Sequence, residues 1–296
     1  MFRNLRLYRL HSDWPQQEDD LSQKLHNVEF KPCGAYAERS MGWEAPAGET
    51  SPALCRRVAG ADLFRLRTQS RLLPSSAINE AMEERIEEFR QRTQRDPSRK
   101  DKRDLKDEIE SELRPRALLK SDRTWGFYLQ SEQLIGIDTT SEPQAERFLD
   151  QLRSSLGSLQ VTPLAFKEPV SKLLQQIFLG GGPTSFLAGE ECRMVDPSAG
   201  TASVNWLGID LGDPSIHKHV KDGLKIDRLG VEFDGVMSCV IGQDSVIRKL
   251  KFGGTDVMED EVDEDPLANL DAEFVLITGM VKRLVSGLKK ALGGYD

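Results

Sequence analysis

The sequence predicts an α+β protein with antiparallel sheets, flanking helices and a projecting helical hairpin. Short runs in which apolar and polar residues alternate, as in 62–71, predict strands. Longer segments with apolar residues three and four positions apart, as in 270–292, predict helices. Of the 296 residues, 38% are hydrophobic and 30% are charged, which is typical of a folded globular chain and not of a disordered one.

The first elements are predicted from alternation and punctuation. Residues 2–10 place leucines among arginines and predict a strand. Asp13 is expected to cap the next helix, with Pro15 in its first turn. Residues 32–52 are rich in Pro, Gly and Ala and predict a loop. Residues 62–71 predict the next strand, in which Arg65 and Arg67 share one face.

A helical hairpin is predicted over 76–114. Leu73-Pro74-Ser75-Ser76 begins the first helix, and Asp96-Pro97-Ser98 ends it. Ser98 with Asp101 predicts the cap of the second helix, which Pro115 ends. Both helices have narrow apolar stripes among many charges, so the hairpin is expected to project from a body. The stripe residues are Ile78, Met82, Ile86 and Phe89, then Leu105, Ile109 and Leu113.

The remaining elements follow the same patterns. Ser141 and Pro143 begin a helix that Gly157 ends. Residues 168–222 are ambiguous apart from two predicted helices near 169–179 and 214–222. The predicted strands are 125–130, 134–139, 161–166, 224–233, 236–241 and 246–252, and a last helix covers 270–292.

The net charge of −8 is unevenly distributed, with 40 basic and 48 acidic residues in the chain. Nine acidic residues and no basic ones occur in 255–276. The rest of the chain holds 39 acidic and 40 basic residues. Conversely, 85–123 holds 13 basic residues against 10 acidic ones. A basic face is therefore compatible with the acidic total. The alternative is a solvated helical surface with compensating ion pairs.

The common catalytic and metal-binding motifs are missing from the sequence. It contains no phosphate-binding P-loop and no GxSxG elbow, and Gly180-Gly181-Gly182 is interpreted as a loop. His217 and His219 are interpreted as surface or structural residues. The four cysteines have no metal-ligand spacing and are expected to be reduced thiols. We therefore predict no cofactor, no metal and no catalytic residue.

The acidic run leaves alternatives open. Asp260, Glu261, Asp263, Glu264 and Asp265 could bind a hard cation, and a metal-dependent nuclease is one hypothesis. The EF-hand pattern does not fit, because the run has no glycine at the required position. A solvated linker is the favoured interpretation. Another is self-masking, in which the run competes with phosphate for a basic surface.

No apolar run approaches the roughly 20 residues of a membrane-spanning helix, and the first residues do not form a signal peptide. We therefore expect a cytoplasmic protein that does not bind a membrane.

A series of short segments extends along nearly the whole chain. They are Phe2-Arg3-Asn4-Leu5, Tyr8-Arg9-Leu10, Phe30-Lys31-Pro32-Cys33-Gly34, Met41-Gly42-Trp43, Leu73-Pro74-Ser75, Leu105-Lys106-Asp107-Glu108, Leu113-Arg114-Pro115-Arg116-Ala117, Leu152-Arg153-Ser154-Ser155-Leu156-Gly157-Ser158-Leu159, Arg248-Lys249-Leu250-Lys251-Phe252, Asp271-Ala272-Glu273-Phe274 and Thr278-Gly279. Each is short, but their ordered combination is specific. In this combination the chain resembles the RdgC family of recombination-associated nucleoid proteins.

The resemblance implies a non-enzymatic protein that binds double-stranded DNA without sequence preference. Such proteins form a ring-shaped homodimer that encircles the duplex, and they limit the access of the RecA recombinase. The implied organisation is a central α+β domain of 1–75 plus 115–166, closed by 243–296, with a helical tip at 76–114 and a base domain at 167–242. Nucleoid association within the cytoplasm is expected.

The resemblance also directs the choice of site residues. The candidate DNA-binding residues are Arg65, Arg67, Arg71, Arg116, Lys120, Arg123, Arg248, Lys249 and Lys251. Some relatives carry an aromatic residue after the Pro-Arg-Ala segment that helps to close the tips; here Leu118 and Leu119 occupy that place as the expected dimer contact. The base region carries Trp206-Leu207-Gly208-Ile209, where some relatives have basic fingers. A protein-interaction module whose charged hairpin binds an acidic partner is the alternative binding function.

Overall fold

The computed structural model describes residues 1–198, 202–253 and 265–296. Within these residues the chain forms α-helices and two antiparallel sheets, as the α+β prediction requires. The helices are α1 Glu18–His26, α2 Ser75–Thr93, α3 Arg99–Leu113, α4 Glu142–Leu156, α5 Val170–Phe178, α6 Pro214–Lys221 and α7 Pro266–Ala291. The strands are β1 Arg6–Leu10, β2 Arg39–Glu44, β3 Cys55–Val58, β4 Ala61–Leu72, β5 Leu118–Leu129, β6 Leu134–Ile137, β7 Val161–Pro163, β8 Phe186–Val195, β9 Ser203–Leu207, β10 Lys225–Phe233, β11 Met237–Gly242 and β12 Ile247–Phe252.

The chain divides into two compact units, each built from several stretches of sequence. The core unit comprises Met1–Asn27, Ala45–Arg65 and Thr124–Asp296. The hairpin unit comprises Val28–Glu44 and Leu66–Arg123. This division into two units does not test the three-part organisation implied by the family resemblance, which stays a prediction.

The first sheet has the strand order β2-β4-β5-β6-β1-β7, and β3 pairs with β4. In the core unit, β1 pairs antiparallel with β6 from Arg6 opposite Ile137 to Arg9 opposite Leu134. The side chains of β6 are buried on both faces of the sheet. This burial accounts for its continuous apolar sequence, because a strand covered on both sides needs no polar alternation.

The second sheet belongs entirely to the core unit and has the order β12-β11-β10-β8-β9. Strand β10 lies at its centre, between β11 and β8. Leu5 joins this sheet to the first one: its amide and carbonyl bond to the carbonyl and amide of Ile247 at 2.7 and 3.0 Å. One hydrophobic core therefore includes residues from both sheets, α5 and α7.

The long helix α7 shows how the apolar period produces this core. Phe274, Ile277, Val281, Leu284 and Leu288 recur at three- or four-residue intervals and are all buried. Burying such a stripe removes apolar surface from water and fixes the helix against its neighbours. No helix in the described parts of the chain combines the length and the apolar content that crossing a bilayer requires.

In the hairpin unit, α2 and α3 pair through narrow stripes, as predicted. Ile78, Phe89 and Ile109 are buried, whereas most other side chains of the two helices are exposed or only half-buried. The cap predicted from Ser98 and Asp101 is confirmed as a reciprocal capping box. The chain leaves α3 through a short turn at Arg114–Arg116 that contains Pro115.

Several predicted boundaries are wrong. The segment 32–52 is not a continuous loop, because Arg39–Glu44 forms β2. The first helix is not capped by Asp13; it begins at Glu18 after Gln17, and the carbonyls of Pro15 and Gln16 instead accept hydrogen bonds from Arg57.

The ambiguous stretch 168–222 contains strands β8 and β9 in addition to the two predicted helices. Strand β5 begins at Leu118, seven residues before the expected start, and β7 ends three residues early. Most of the acidic run, from Asp256 to Glu264, lies outside the described residues.

Candidate nucleic-acid interface

Two predicted residues of the hairpin unit share one carboxylate. Arg67 on β4 donates to one carboxylate oxygen of Glu44 on β2 at 3.2 Å, and Arg123 on β5 donates to both oxygens, at 2.8 and 3.4 Å. Arg67 also donates to Ser121 and stacks 4.3 Å from the Phe30 ring centroid. Arg67 is therefore held inside the unit on several sides, whereas Arg123 keeps about half of its side chain exposed.

Arg71 bonds to backbone carbonyls. Its guanidinium donates to the oxygen of Gly34 at 3.1 Å and to those of Pro115 and Ala117 at 3.2 Å each. These bonds tie the end of β4 to the segment that follows α3. Since carbonyls carry no formal charge, they satisfy the guanidinium's donors without neutralising its charge.

Arg116 and Lys120 are both exposed on this unit. Arg116 is exposed in the turn after α3, and no ion pair to it occurs within the described part of the chain. Lys120 is exposed on β5 and approaches Asp122 at 3.1 Å, a pair that solvent weakens. Leu118 and Leu119, the expected dimer contact, are 77% and 45% exposed.

The remaining candidates belong to the core unit. Arg65 donates to the Ala45 carbonyl at 2.7 Å and lies 4.9 Å from the Trp125 ring centroid. Arg248 is mostly buried and pairs with Asp244 at 2.5 Å, while Lys249 is exposed and pairs with Glu191 at 2.6 Å. Lys251 is exposed without an ion pair among the described residues.

The nine predicted residues therefore differ in how available their charges are. Arg65, Arg67 and Arg248 are engaged inside their units, and a phosphate would have to displace those contacts. Arg116 and Lys251 can meet a phosphate without breaking an ion pair. The sequence pattern could not identify most of these pairs, because Glu44 and Glu191 are distant in the chain from the residues they bind: Glu191 is 58 residues from Lys249. Asp244, in contrast, is four residues from Arg248.

Within the described ranges, no three His, Cys, Asp or Glu residues lie close enough to hold a metal ion. His217 and His219 are on α6, where their rings pack against Phe178 and Trp206 at centroid distances of 4.8 and 5.3 Å. The prediction that the acidic run forms no metal site stays untested, because most of the run lies outside those ranges.

The cysteines are all free and buried. Burial raises the pKa of the Cys55, Cys192 and Cys239 thiols to about 12. Nucleophilic attack requires the thiolate, so these three side chains are packed as inert core groups.

The comparisons with known proteins all match nearly the whole length of the chain. Residues 1–295 match the family model described as "Putative exonuclease, RdgC". A protein of Halorhodospira halophila named "Recombination-associated protein RdgC" is 33% identical over 297 residues, which cover 99% of this chain and 98% of the relative. Relatives of the same name from Pseudoalteromonas atlantica and Shewanella oneidensis are 30% and 29% identical over 286 and 301 residues. They cover 95% and 100% of this chain, and 94% and 98% of the relatives. The chain therefore belongs to the RdgC family.

Proposed function

We propose that this protein takes part in DNA recombination by binding double-stranded DNA without sequence preference. In this proposal two chains form a ring that encircles the duplex and limits the access of RecA to it. The observation that carries the proposal is the full-length match to a family whose relatives are named recombination-associated. Membership of this family links the whole chain, and not one module, to recombination.

The arrangement of charge supports the same proposal. Phosphate contacts supply affinity but carry no sequence information, so exposed arginines and lysines are sufficient for binding of this kind. Arg116, Lys120, Arg123, Lys249 and Lys251 remain exposed on strands or in turns. A ring would present these cations from two subunits to the same duplex and add their potentials. The acidic excess elsewhere in the chain would disfavour DNA on other surfaces.

A salt titration tests the DNA-binding step. The affinity of the protein for a duplex of arbitrary sequence is measured by fluorescence anisotropy between about 50 and 200 mM salt, and the mass is measured by light scattering. Six phosphate contacts would weaken binding about a thousand-fold over this range. We expect twice the chain mass and equal affinity for unrelated duplexes. Binding that does not change with salt would contradict the electrostatic mechanism.

The family description mentions an exonuclease, and the same preparations can test that alternative. An end-labelled linear duplex and a closed circle are incubated with excess protein and magnesium or manganese. We expect both to remain intact. Progressive loss of the end label would favour a nuclease, and nicking of the circle would indicate internal cleavage.

The protein-interaction alternative predicts a different outcome. An acidic protein partner would remain bound after exhaustive nuclease treatment, whereas contacts mediated by DNA would be lost. Partner capture that survives such treatment, together with no duplex binding at low salt, would replace the DNA-binding proposal.

A further inference from the structure

A groove of about 740 Å³ opens on the core unit, and none of the predicted DNA-binding residues lines it. One wall is the end of α5 and the loop after it, and another is the first half of β8. The segment 208–212, which follows β9, lies opposite, and His217 of α6 and Glu232 of β10 complete the lining. Sites that hold a ligand or a peptide side chain have volumes in this range, roughly 300–1,000 Å³. We call this cavity the base groove.

The base groove is apolar at its floor and along its walls. Phe178 and Phe186 line it and belong to the hydrophobic core. Above them, Leu179, Leu187 and Ile209 line the groove while remaining 44%, 57% and 40% exposed. Single exposed leucines are common on protein surfaces, but several that share one concave site mark a place where another molecule binds.

The ionisable side chains of the base groove, apart from His217, are all acidic. Glu190, Asp210 and Glu232 line it and are exposed, whereas no lysine or arginine is among its lining residues. One oxygen of Asp210 accepts a hydrogen bond from the Gly212 amide at 2.8 Å. No ion pair to any of the three carboxylates occurs within residues 1–198, 202–253 and 265–296. The groove therefore presents apolar surface together with uncompensated negative charge.

His217 adds a polar atom that lacks a partner. Its ring packs against Phe178 at a centroid distance of 4.8 Å, and the side chain lines the groove. The Nε2 atom is buried, and no hydrogen bond to it is formed by the part of the chain that the structure describes. Buried polar atoms are nearly always hydrogen-bonded, so this nitrogen indicates a missing partner. An occupant with peptide amides and carbonyls is able to supply that bond.

The charge of the base groove indicates which occupant it favours. Three carboxylates repel phosphate, so the groove disfavours nucleic acid. A two-fold contact with a second copy of the chain would place the same carboxylates opposite each other, and like charges across an interface are unfavourable. A peptide that carries lysine or arginine beside apolar side chains matches both the carboxylates and the leucines. Five of the lining residues are glycines, which allow a main chain to approach closely.

We propose that the base groove is a docking site for a protein partner, through a basic and apolar peptide segment of that partner. The apolar side chains of the segment cover Leu179, Leu187 and Ile209, and its cations pair with Glu190 and Glu232. This function goes beyond the proposed binding of DNA and does not depend on it, because the two use different residues. Recruitment of a second protein is a function that contacts with phosphate do not provide.

The test uses four fluorescein-labelled peptides of about twelve residues, composed of leucine and lysine, leucine and glutamate, serine and lysine, or serine and glutamate. Fluorescence anisotropy at low salt measures their affinity for the full-length protein. We expect the leucine–lysine peptide to bind most tightly, because only this composition matches both properties of the groove. Glu190→Gln/Glu232→Gln should weaken its binding roughly tenfold, since one exposed ion pair contributes up to about a factor of five. Leu187→Ser should also weaken it.

The matched control is Glu83→Gln/Glu84→Gln, which removes two exposed carboxylates from α2 and should leave the affinity unchanged. Failure of all four peptides to bind, or equal affinity in the two glutamate variants, would overturn the proposal. Conversion of a dimer to a monomer by Leu187→Ser would instead assign the groove to a second copy, and a loss of duplex affinity would assign it to DNA. Peptide binding by a protein that does not bind duplex would contradict the proposed function alone. Circular dichroism establishes that the variants fold.

Discussion

At the scale of single residues, Asp62 is the clearest case of a buried charge that the fold depends on. Its carboxylate is completely buried on β4 and accepts hydrogen bonds from Trp14 Nε1 at 2.7 Å and from Arg57 at 2.5 and 3.0 Å. The hydrogen bonds that Arg57 donates to Asp62 raise the pKa of Arg57. These contacts join the segment before α1 to the β3–β4 hairpin. Such a pair tolerates the loss of one partner poorly, because the other charge stays buried.

Replacement of this carboxylate tests that view. We expect Asp62→Asn to lower the free energy of unfolding by about 3–5 kcal/mol, the usual cost of leaving a buried charge unpaired. Urea denaturation measures the change. Asp150→Asn is the control, since it removes the exposed partner of Arg153 and should leave the midpoint unchanged. Similar midpoints for the two variants would mean that water reaches Arg57.

We expect the carboxyl group of Asp101 to have an unusually low pKa. The hydrogen bond from Arg95, followed by those from the Ser98 backbone and hydroxyl, lowers the pKa of Asp101 from 3.8 to about 2. A carboxyl with a lowered pKa in the folded state stabilises that state above the unfolded pKa, and the contribution is lost as pH falls through the folded value. The hairpin should therefore lose this support between about pH 4 and pH 2.

Carbon-13 NMR of the Asp101 carboxyl measures this midpoint directly. Arg95→Gln should move the midpoint upward, because it removes the largest cause of the shift. Arg92→Gln serves as the matched control: it also removes a cation of the hairpin but no bond to Asp101. An equal upward shift in both variants would assign the effect to overall charge instead of to the hydrogen bond.

At the scale of elements, a single glycine allows the backbone before β2 to pack closely against that strand. Phe30 donates to the Trp43 carbonyl at 2.8 Å, and Trp43 donates to the Val28 carbonyl at 2.9 Å. This parallel bridge brings the backbone of Phe30 so close to Gly42 that an added Cβ would lie 2.5 Å from its N and Cα atoms. Only glycine permits this close approach. The amino-acid composition of 32–52, on which the loop prediction rested, does not show it.

Two glycine substitutions of opposite sign test this point. Gly42→Ala should destabilise the protein by about 1–3 kcal/mol, because the backbone it meets cannot move as a side chain can. Gly279→Ala should stabilise it by about 0.5–1 kcal/mol, since Gly279 lies inside α7 with no atom within 4 Å of an added Cβ. Thermal unfolding compares the two. A neutral Gly42→Ala would show that the Phe30 segment can shift.

At the scale of the whole molecule, encirclement makes a prediction that surface binding does not. Protein is loaded at low salt onto a closed circular duplex and onto the same duplex after linearisation, and each complex is then challenged with higher salt. A ring should persist on the circle and leave the linear molecule over its ends. Equal release from both would contradict encirclement but would still be consistent with non-specific binding. A linear duplex with both ends blocked is the control and should behave as the circle does.

Much of the fold is predictable where local chemistry acts alone. The capping box and the prolines delimit α2 and α3, and apolar periods mark α4, α5 and α7, because these signals act within a few residues. The three strands over 225–252 are also recognised, since each carries a run of strand-forming residues. In contrast, β2, β8 and β9 have no comparable local pattern: β2 pairs with β4 and β8 with β10 in later parts of the chain, and β9 lies at the edge of its sheet beside β8.

The same distinction between local and long-range determinants applies to the candidate site. By itself the sequence determined the family, the α+β class, the hairpin and its basic composition, because these follow from residue order. Only the tertiary structure decided which cations are available: Glu44 engages Arg67 and Arg123, and Glu191 engages Lys249, across separations of 23 to 79 residues. Ion pairing depends on distance in space, and the fold alone determines that distance.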